Sequence, residues 1–405
     1  MKFFNFFKKS GSIENAADLA KEKGFGIDTY GATGNERPVD PLALAAVFSC
    51  IRVLSESVGM LPINLYTQSG ESRKKAVNHP LTRLLRIAPN DYQTPQEFKE
   101  LLIQCLCLRG NFYAYKVRTL GKISELLPLN PDSVSAKLND KYQPEYQVTF
   151  KDGSYQKLTQ DDVWHVRIFP ECGDGFLGVN PIEKTRRTFE LASNAEEWGD
   201  NLFKNGTVTS GVLSTDQKMT DEAFDRLRKS FDERHSGIAS VHRPMILEMG
   251  LDWKQMSMNA EDSQFLETRK FQKDEICSIF RVPPHMIANL ERATFSNIEH
   301  QSQSFVNYSL MPYLTRIEER INIGLLDESE QGDHYAKFNA GALLRGDTKT
   351  RMESYASGIQ WGIYSPNDCR ALEDMNPRDG GDVYLTPMNM TTNPEAGQDD
   401  NKTAA

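Results

Sequence analysis

The chain has little of what catalysis, metal binding or membrane crossing requires. Its six cysteines (Cys50, Cys105, Cys107, Cys172, Cys277 and Cys369) form no C-x-x-C pair and no zinc-ligand spacing. Most stand in apolar helical patterns, where a free thiol acts as a small hydrophobe, so reduced, cytosolic assembly is expected. Seven histidines are scattered, with no H-E-x-x-H or similar pair to support metal catalysis. G-x-S-x-G and a Walker A lysine are missing too. No run approaches the roughly 18 consecutive apolar residues of a membrane span. The nearest stretch, Leu42 to Leu61, is broken by Ser49, Arg52, Ser55, Glu56 and Ser57. No catalytic residue, metal or cofactor is assigned.

Basic charge is in deficit: 47 lysines and arginines stand against 56 acids, a net charge of −9 over 405 residues. A protein that grips nucleic acid tightly shows the opposite balance, because counterion release from phosphates drives its affinity. Local contact with DNA stays open; a general DNA clamp does not. The opening MKFFNFFKKSGS has no apolar h-region or small-residue cleavage site, so a docking arm is expected there rather than a secretory signal.

One motif asks for chemistry. Residues 173–178, Gly173-Asp174-Gly175-Phe176-Leu177-Gly178, spell G-x-G-x-x-G between an apolar run and a helical pattern. A nucleotide-binding oxidoreductase built on these glycines is the alternative function to be weighed. The dinucleotide fingerprint needs its first glycine at the strand end and its helix starting within the motif. Here Pro170-Glu171-Cys172 intervene, and the helix starts beyond the motif, capped by Asn180. The acid expected about twenty residues on falls inside that helix, at Glu196 and Glu197. No βαβ unit is predicted, and Gly173, Gly175 and Gly178 are read as a flexible, tightly turning hinge between a sheet and a long helix.

Around that joint the pattern predicts an α+β chain. Asp40-Pro41 starts a helix with Val47, Cys50, Ile51, Leu54 and Val58 on one face. Thr94-Pro95-Gln96-Glu97 is a capping box for a second helix, which stops at Gly110. From 111 to 169 the period changes to two, predicting an antiparallel sheet packed on those helices. Asn180-Pro181-Ile182-Glu183 opens a helix running to Lys204, roughly 36 Å at 1.5 Å per residue. After a small α/β insert, a second long helix spans about Asp262 to Phe280 and stops at Pro283-Pro284. A third, capped by Ser296, carries Leu310, Leu314, Ile317 and Ile321 inward, with Pro312 as a kink. Two short helices (348–361 and 366–374) and a polar tail close the chain. Helices polar on several sides bridge domains or pack on neighbours; copies of the chain around an axis would satisfy them.

Several segments, in order, resemble the portal proteins of long-tailed bacteriophages. They are LAAVFSCIRVLSESVGMLPINLY (44–66), HPLTRLLRIAPNDYQTPQEF (79–98), LRGNFYAYKVRTLGKISELLPLNPDSV (108–134), GDGFLGVNPIE (173–183), FRVPPHMIANLERATFSNIEHQ (280–301) and GIYSPNDCRALEDMNPRDGGD (362–382). Asn180 stands where the family often has serine; both cap a helix. The insert, 207–258, matches least. The resemblance implies an elongated portal fold: N-terminal arm (1–39), wing (40–179), stem helix (180–206), clip (207–259) and second stem helix (260–283). The tunnel-loop region (284–298), a long helix with the rest of the wing (299–346), crown (347–392) and disordered tail (393–405) complete it.

It further implies a structural, non-enzymatic ring, typically of twelve subunits, at one capsid vertex, through which double-stranded DNA is packaged and ejected. The large terminase subunit, the head–tail connector protein and the major capsid protein are its implied partners, with no membrane. Asn289, Glu291, Arg292 and Thr294 would lie on the tunnel loop facing DNA. Arg292 reads either as a salt-sensitive phosphate contact or as a solvated loop residue, and Glu291 beside it partly cancels its charge. Twelve chains at −9 each give on the order of a hundred negative charges, which repel the DNA backbone and let it slide.

Overall fold

The computed structural model describes residues 40–70, 72–205, 211–214, 220–222, 224–226, 229, 252–255, 259–287, 301, 303–340, 348–373 and 375–385. The expected arm, most of the clip, residues 288–298 of the expected tunnel-loop region and the tail lie outside them. Residues 1–339 and 340–405 form two compact units.

The first unit starts as the caps dictate. Asp40 Oδ1 accepts from Leu42 N at 3.0 Å and Pro41 opens a 3-10 turn, from which α1 (Ala45–Gly59) continues. Its stripe of Val47, Cys50, Ile51, Leu54 and Val58 is buried, packed on α3 (Pro95–Arg109) and on α6 (Asn259–Phe280). The short α2 (Pro80–Arg86) is capped by His79; α3 begins in the Thr94–Glu97 capping box and ends at Gly110.

Three three-stranded antiparallel sheets follow. One has the order β4 (Lys122–Leu129), β3 (Asn111–Thr119), β8 (Val163–Arg167). Another runs β5 (Val134–Leu138), β6 (Pro144–Thr149), β7 (Tyr155–Thr159). The third joins β11 (His334–Phe338), β1 (Ile63–Ser69) and β2 (Ser72–Lys75). The single sheet expected over 111–169 is thus two. Neither β7 nor β2 shows an apolar alternation, since Leu158 is the one buried residue of β7 and all of β2 is exposed.

Among the described residues, two aromatic centres stand in the core. Phe98, Phe112 and Trp164 pack with centroids 5.6 to 6.4 Å apart. Trp164 Nε1 donates to Arg320 O at 2.8 Å, tying β8 to α7 (Met311–Gly324). Tyr113, Leu129, Tyr146, Val148, Leu158, Val163 and Phe176 make the second centre between the two 111–167 sheets.

Two helices depart from the expected form. The helix opened by Asn180 is broken: α4 (Pro181–Lys184) ends at Thr185, whose hydroxyl donates to Pro181 O at 2.7 Å, and α5 (Arg186–Asn205) follows. A hydroxyl turned back on the carbonyl four residues before it competes with the helix ladder. Before Pro312, residues Phe305–Leu310 form a π-helical turn, with Met311 N bonded to Val306 O. Proline offers no N–H to the carbonyl four residues back, so the strain expected at Pro312 appears as a widened turn before it.

In the second unit, α8 (Thr348–Gln360) and α9 (Pro366–Leu372) carry an Arg351–Glu373 pair at 2.8 Å and a Ser365–Asp368 capping box. Asn367 Nδ2 donates to Arg378 O and Asp382 Oδ1, fixing the chain that returns past α9.

Candidate channel elements

The glycine stretch becomes a joint through close packing. Gly110, at φ +73°, ends α3, and a Cβ there would sit 2.0 Å from Val179 O. A Cβ on Gly178 would sit 2.2 Å from Gly110 O and 2.6 Å from Ile168 O. Two stretches of backbone therefore touch where no side chain fits.

Asn111, the first residue of β3, seals this contact. Its Nδ2 donates to Gly178 O at 2.9 Å and to Arg109 O at 3.2 Å, while its Oδ1 accepts from Gly178 N at 2.8 Å. That fixes the amide orientation, so His165 Nε2, 3.0 Å from the same Oδ1, is the protonated nitrogen. Nδ1 is left to accept from Tyr146 OH at 3.4 Å. Burial, reinforced by the charges of Arg167 and Arg320, holds the His165 pKa well below its ordinary value, so the ring is neutral.

Phe176 enters the second core centre, and its carbonyl accepts from Arg167 Nη1 at 2.8 Å. Pro170 and Gly178 form a β-bridge. Gly173 and Gly175 stand on the outer arc, where a Cβ meets nothing closer than 3.9 Å. The strand before the motif is antiparallel to its neighbour, and no parallel strand follows the helix among the described residues. The dinucleotide alternative therefore has no site here.

Beyond the joint, α5 and α6 run side by side, 20 and 22 residues long, roughly 30 and 33 Å. Phe189 and Phe280 meet at 6.5 Å. Thr188 Oγ1 donates to Glu275 at 3.3 Å, Gln272 Nε2 to Leu191 O at 3.4 Å, and Arg269 Nη2 to Glu196 at 3.1 Å. On the outside of this pair Leu191, Trp198 and Phe271 are 56%, 44% and 68% exposed. At the far end, β9 (Gly211–Ser214) and β10 (Asp252–Gln255) form an antiparallel pair.

Asn289, Glu291, Arg292 and Thr294 lie outside the described residues. The loop is described up to Ile287, through the 3-10 turn Pro284–Ile287 that follows α6. Its far anchor is visible: Ser309 Oγ donates to Arg281 O, bridging the two ends of the segment. Sequence reasoning missed the Asn111–His165–Gly178 cluster. Its one signal was Gly110 ending α3; a contact across 67 residues has no periodicity to betray it.

Two long helices leave a sheet body and return to it, with large apolar side chains left outside, as in a subunit built for assembly. Residues 45–374 match the family model for the phage portal protein. The portal protein of Enterobacteria phage HK97 is 32% identical, over 91% of this chain and 89% of its own. A chain in the neck of an empty gene transfer agent (GTA) particle, computed with C6 symmetry, is 25% identical at TM-score 0.59, covering 86% of this chain and 98% of its own. A chain in the neck of the native GTA particle, computed with C12 symmetry, is 24% identical at TM-score 0.58, covering 89% and 98%. The chain belongs to the phage portal protein family, a structural family, and serves as a capsid-associated portal ring subunit.

Proposed function

We propose that twelve copies close into a ring at one capsid vertex, and that double-stranded DNA passes through its centre during packaging and ejection. The single observation that carries this is the α5–α6 pair, which leaves Leu191, Trp198 and Phe271 exposed along its length. Burying an aromatic side chain of this kind contributes about 2 kcal/mol, and a neighbouring copy supplies the surface. The family match and the C12 neck assembly support the ring.

In this reading the body 40–179 is the wing, α5 and α6 are the stem, and the β9–β10 pair belongs to a clip that meets the large terminase subunit and later the head–tail connector protein. The major capsid protein surrounds the wing, which 299–346 completes, and residues 347–392, in the second compact unit, are the crown. Asn289, Glu291, Arg292 and Thr294 face the DNA, with the ring assembling in the host cytoplasm. The glycine joint is the hinge to the stem, tight at Gly178 and open at Gly173 and Gly175. The chain's net −9 keeps DNA contacts weak enough for sliding.

Native mass spectrometry of Trp198→Glu and Phe271→Glu tests the reading. The native chain is expected as a high-order oligomer, and the double variant as smaller species with unchanged circular dichroism. A double variant that still assembles would remove the stem from the subunit contact.

A further inference from the structure

The β11–β1–β2 sheet has two edges, and they are treated differently. On β11, Ala336 N donates to Asn322 Oδ1 and Phe338 N to Glu318 Oε1, both at 2.7 Å, so side chains of α7 close that edge. On the other side β2 pairs with β1 alone among the described residues. Its outer row of backbone donors and acceptors is open to a further strand.

This open edge is basic in an acidic chain. Residues 72–86 hold Arg73, Lys74, Lys75, Arg83 and Arg86 and no aspartate or glutamate. All five are exposed, and none is in an ion pair among the described residues. Glu71 precedes the strand in the sequence, and Asp327 and Glu330 line a small hollow with His79 and Lys122 at the start of α2. On one face of the sheet Lys75 stands opposite Tyr66, which stacks on Tyr335 at 5.4 Å, giving an aromatic floor beside the cations.

We infer that the edge of β2 captures an extended acidic segment of a partner protein as an added strand. Backbone hydrogen bonds supply the attachment, and the cations on alternating sides select acidic residues. A second copy's β2 is excluded, because it would place arginine and lysine opposite their like. Duplex DNA would use the charge but leave the backbone edge and the tyrosine pair idle.

The test is fluorescence anisotropy on the full-length assembly with a labelled peptide alternating glutamate and valine. Its lysine–valine counterpart, a backbone N-methylated glutamate–valine peptide and a short DNA duplex are the comparisons. The glutamate–valine peptide is expected to bind, more weakly as salt rises, and to lose about tenfold in affinity in Arg73→Glu/Lys74→Glu/Lys75→Glu. The N-methylated peptide, which reads the unaltered protein, is expected to lose binding as well. Equal binding of the methylated peptide, stronger binding of the duplex, or no binding of the acidic peptide would each overturn the inference.

Discussion

Asn111 holds more of the molecule than its size suggests. Truncation in Asn111→Ala strands Gly178 N–H, Gly178 C=O and His165 Nε2–H at a buried site. With each stranded buried group costing about 1–3 kcal/mol and partial relaxation, a loss of about 2–4 kcal/mol is expected in urea unfolding. Titration gives a second handle. The unfolded chain protonates His165 near its ordinary 6.5 while the native ring stays neutral. Its stabilisation is therefore present above pH 6.5 and lost as the pH falls below it. His165→Gln is expected to flatten that acid decline in melting temperature. Burial pushes the buried Lys99 and Lys116 down to about 8 from 10.5. Their contribution is complete above pH 10.5 and disappears as the pH falls through 8, so stability rises from pH 8 upward. Above pH 9 the half-buried thiol of Cys105 and the buried thiol of Cys107, pushed up to about 12, work in the opposite direction. Between pH 8 and 9 the native protein should gain stability, and Lys116→Met should gain less.

At the scale of elements, helix starts were legible because caps are local. Asp40, Thr94, Asn180 and Ser365 each bond the backbone they precede. Helix interiors were less so: Thr185 breaks a pattern that reads as continuous, and the π turn before Pro312 is a backbone response with no side-chain signature. The exposed β2 and β7, whose one buried residue is Leu158, were illegible because neither carries an apolar alternation. The candidate site divides likewise, since the glycines announced a turn but not the Gly110–Gly178 contact that tightens it. The pairing of α5 with α6 separates packing from charge. Phe189, 2% exposed, is expected to cost about 3–5 kcal/mol on truncation to alanine. Arg269 and Glu196 are each more than a third exposed, so Arg269→Ala should cost under about 1 kcal/mol. Thermal melts of the two variants distinguish them.

For the whole molecule, the acidic balance and the exposed apolar residues make sense together only in an assembly. A solitary chain leaves much of Trp198 and Phe271 in water; in the proposed ring they would be buried between copies, with an acidic wall around the genome. The most direct measurement is electron microscopy of the purified full-length protein. Annular particles with a central opening wide enough for a DNA duplex are the expected result. A field of compact solitary particles, at every concentration and salt tried, would contradict it.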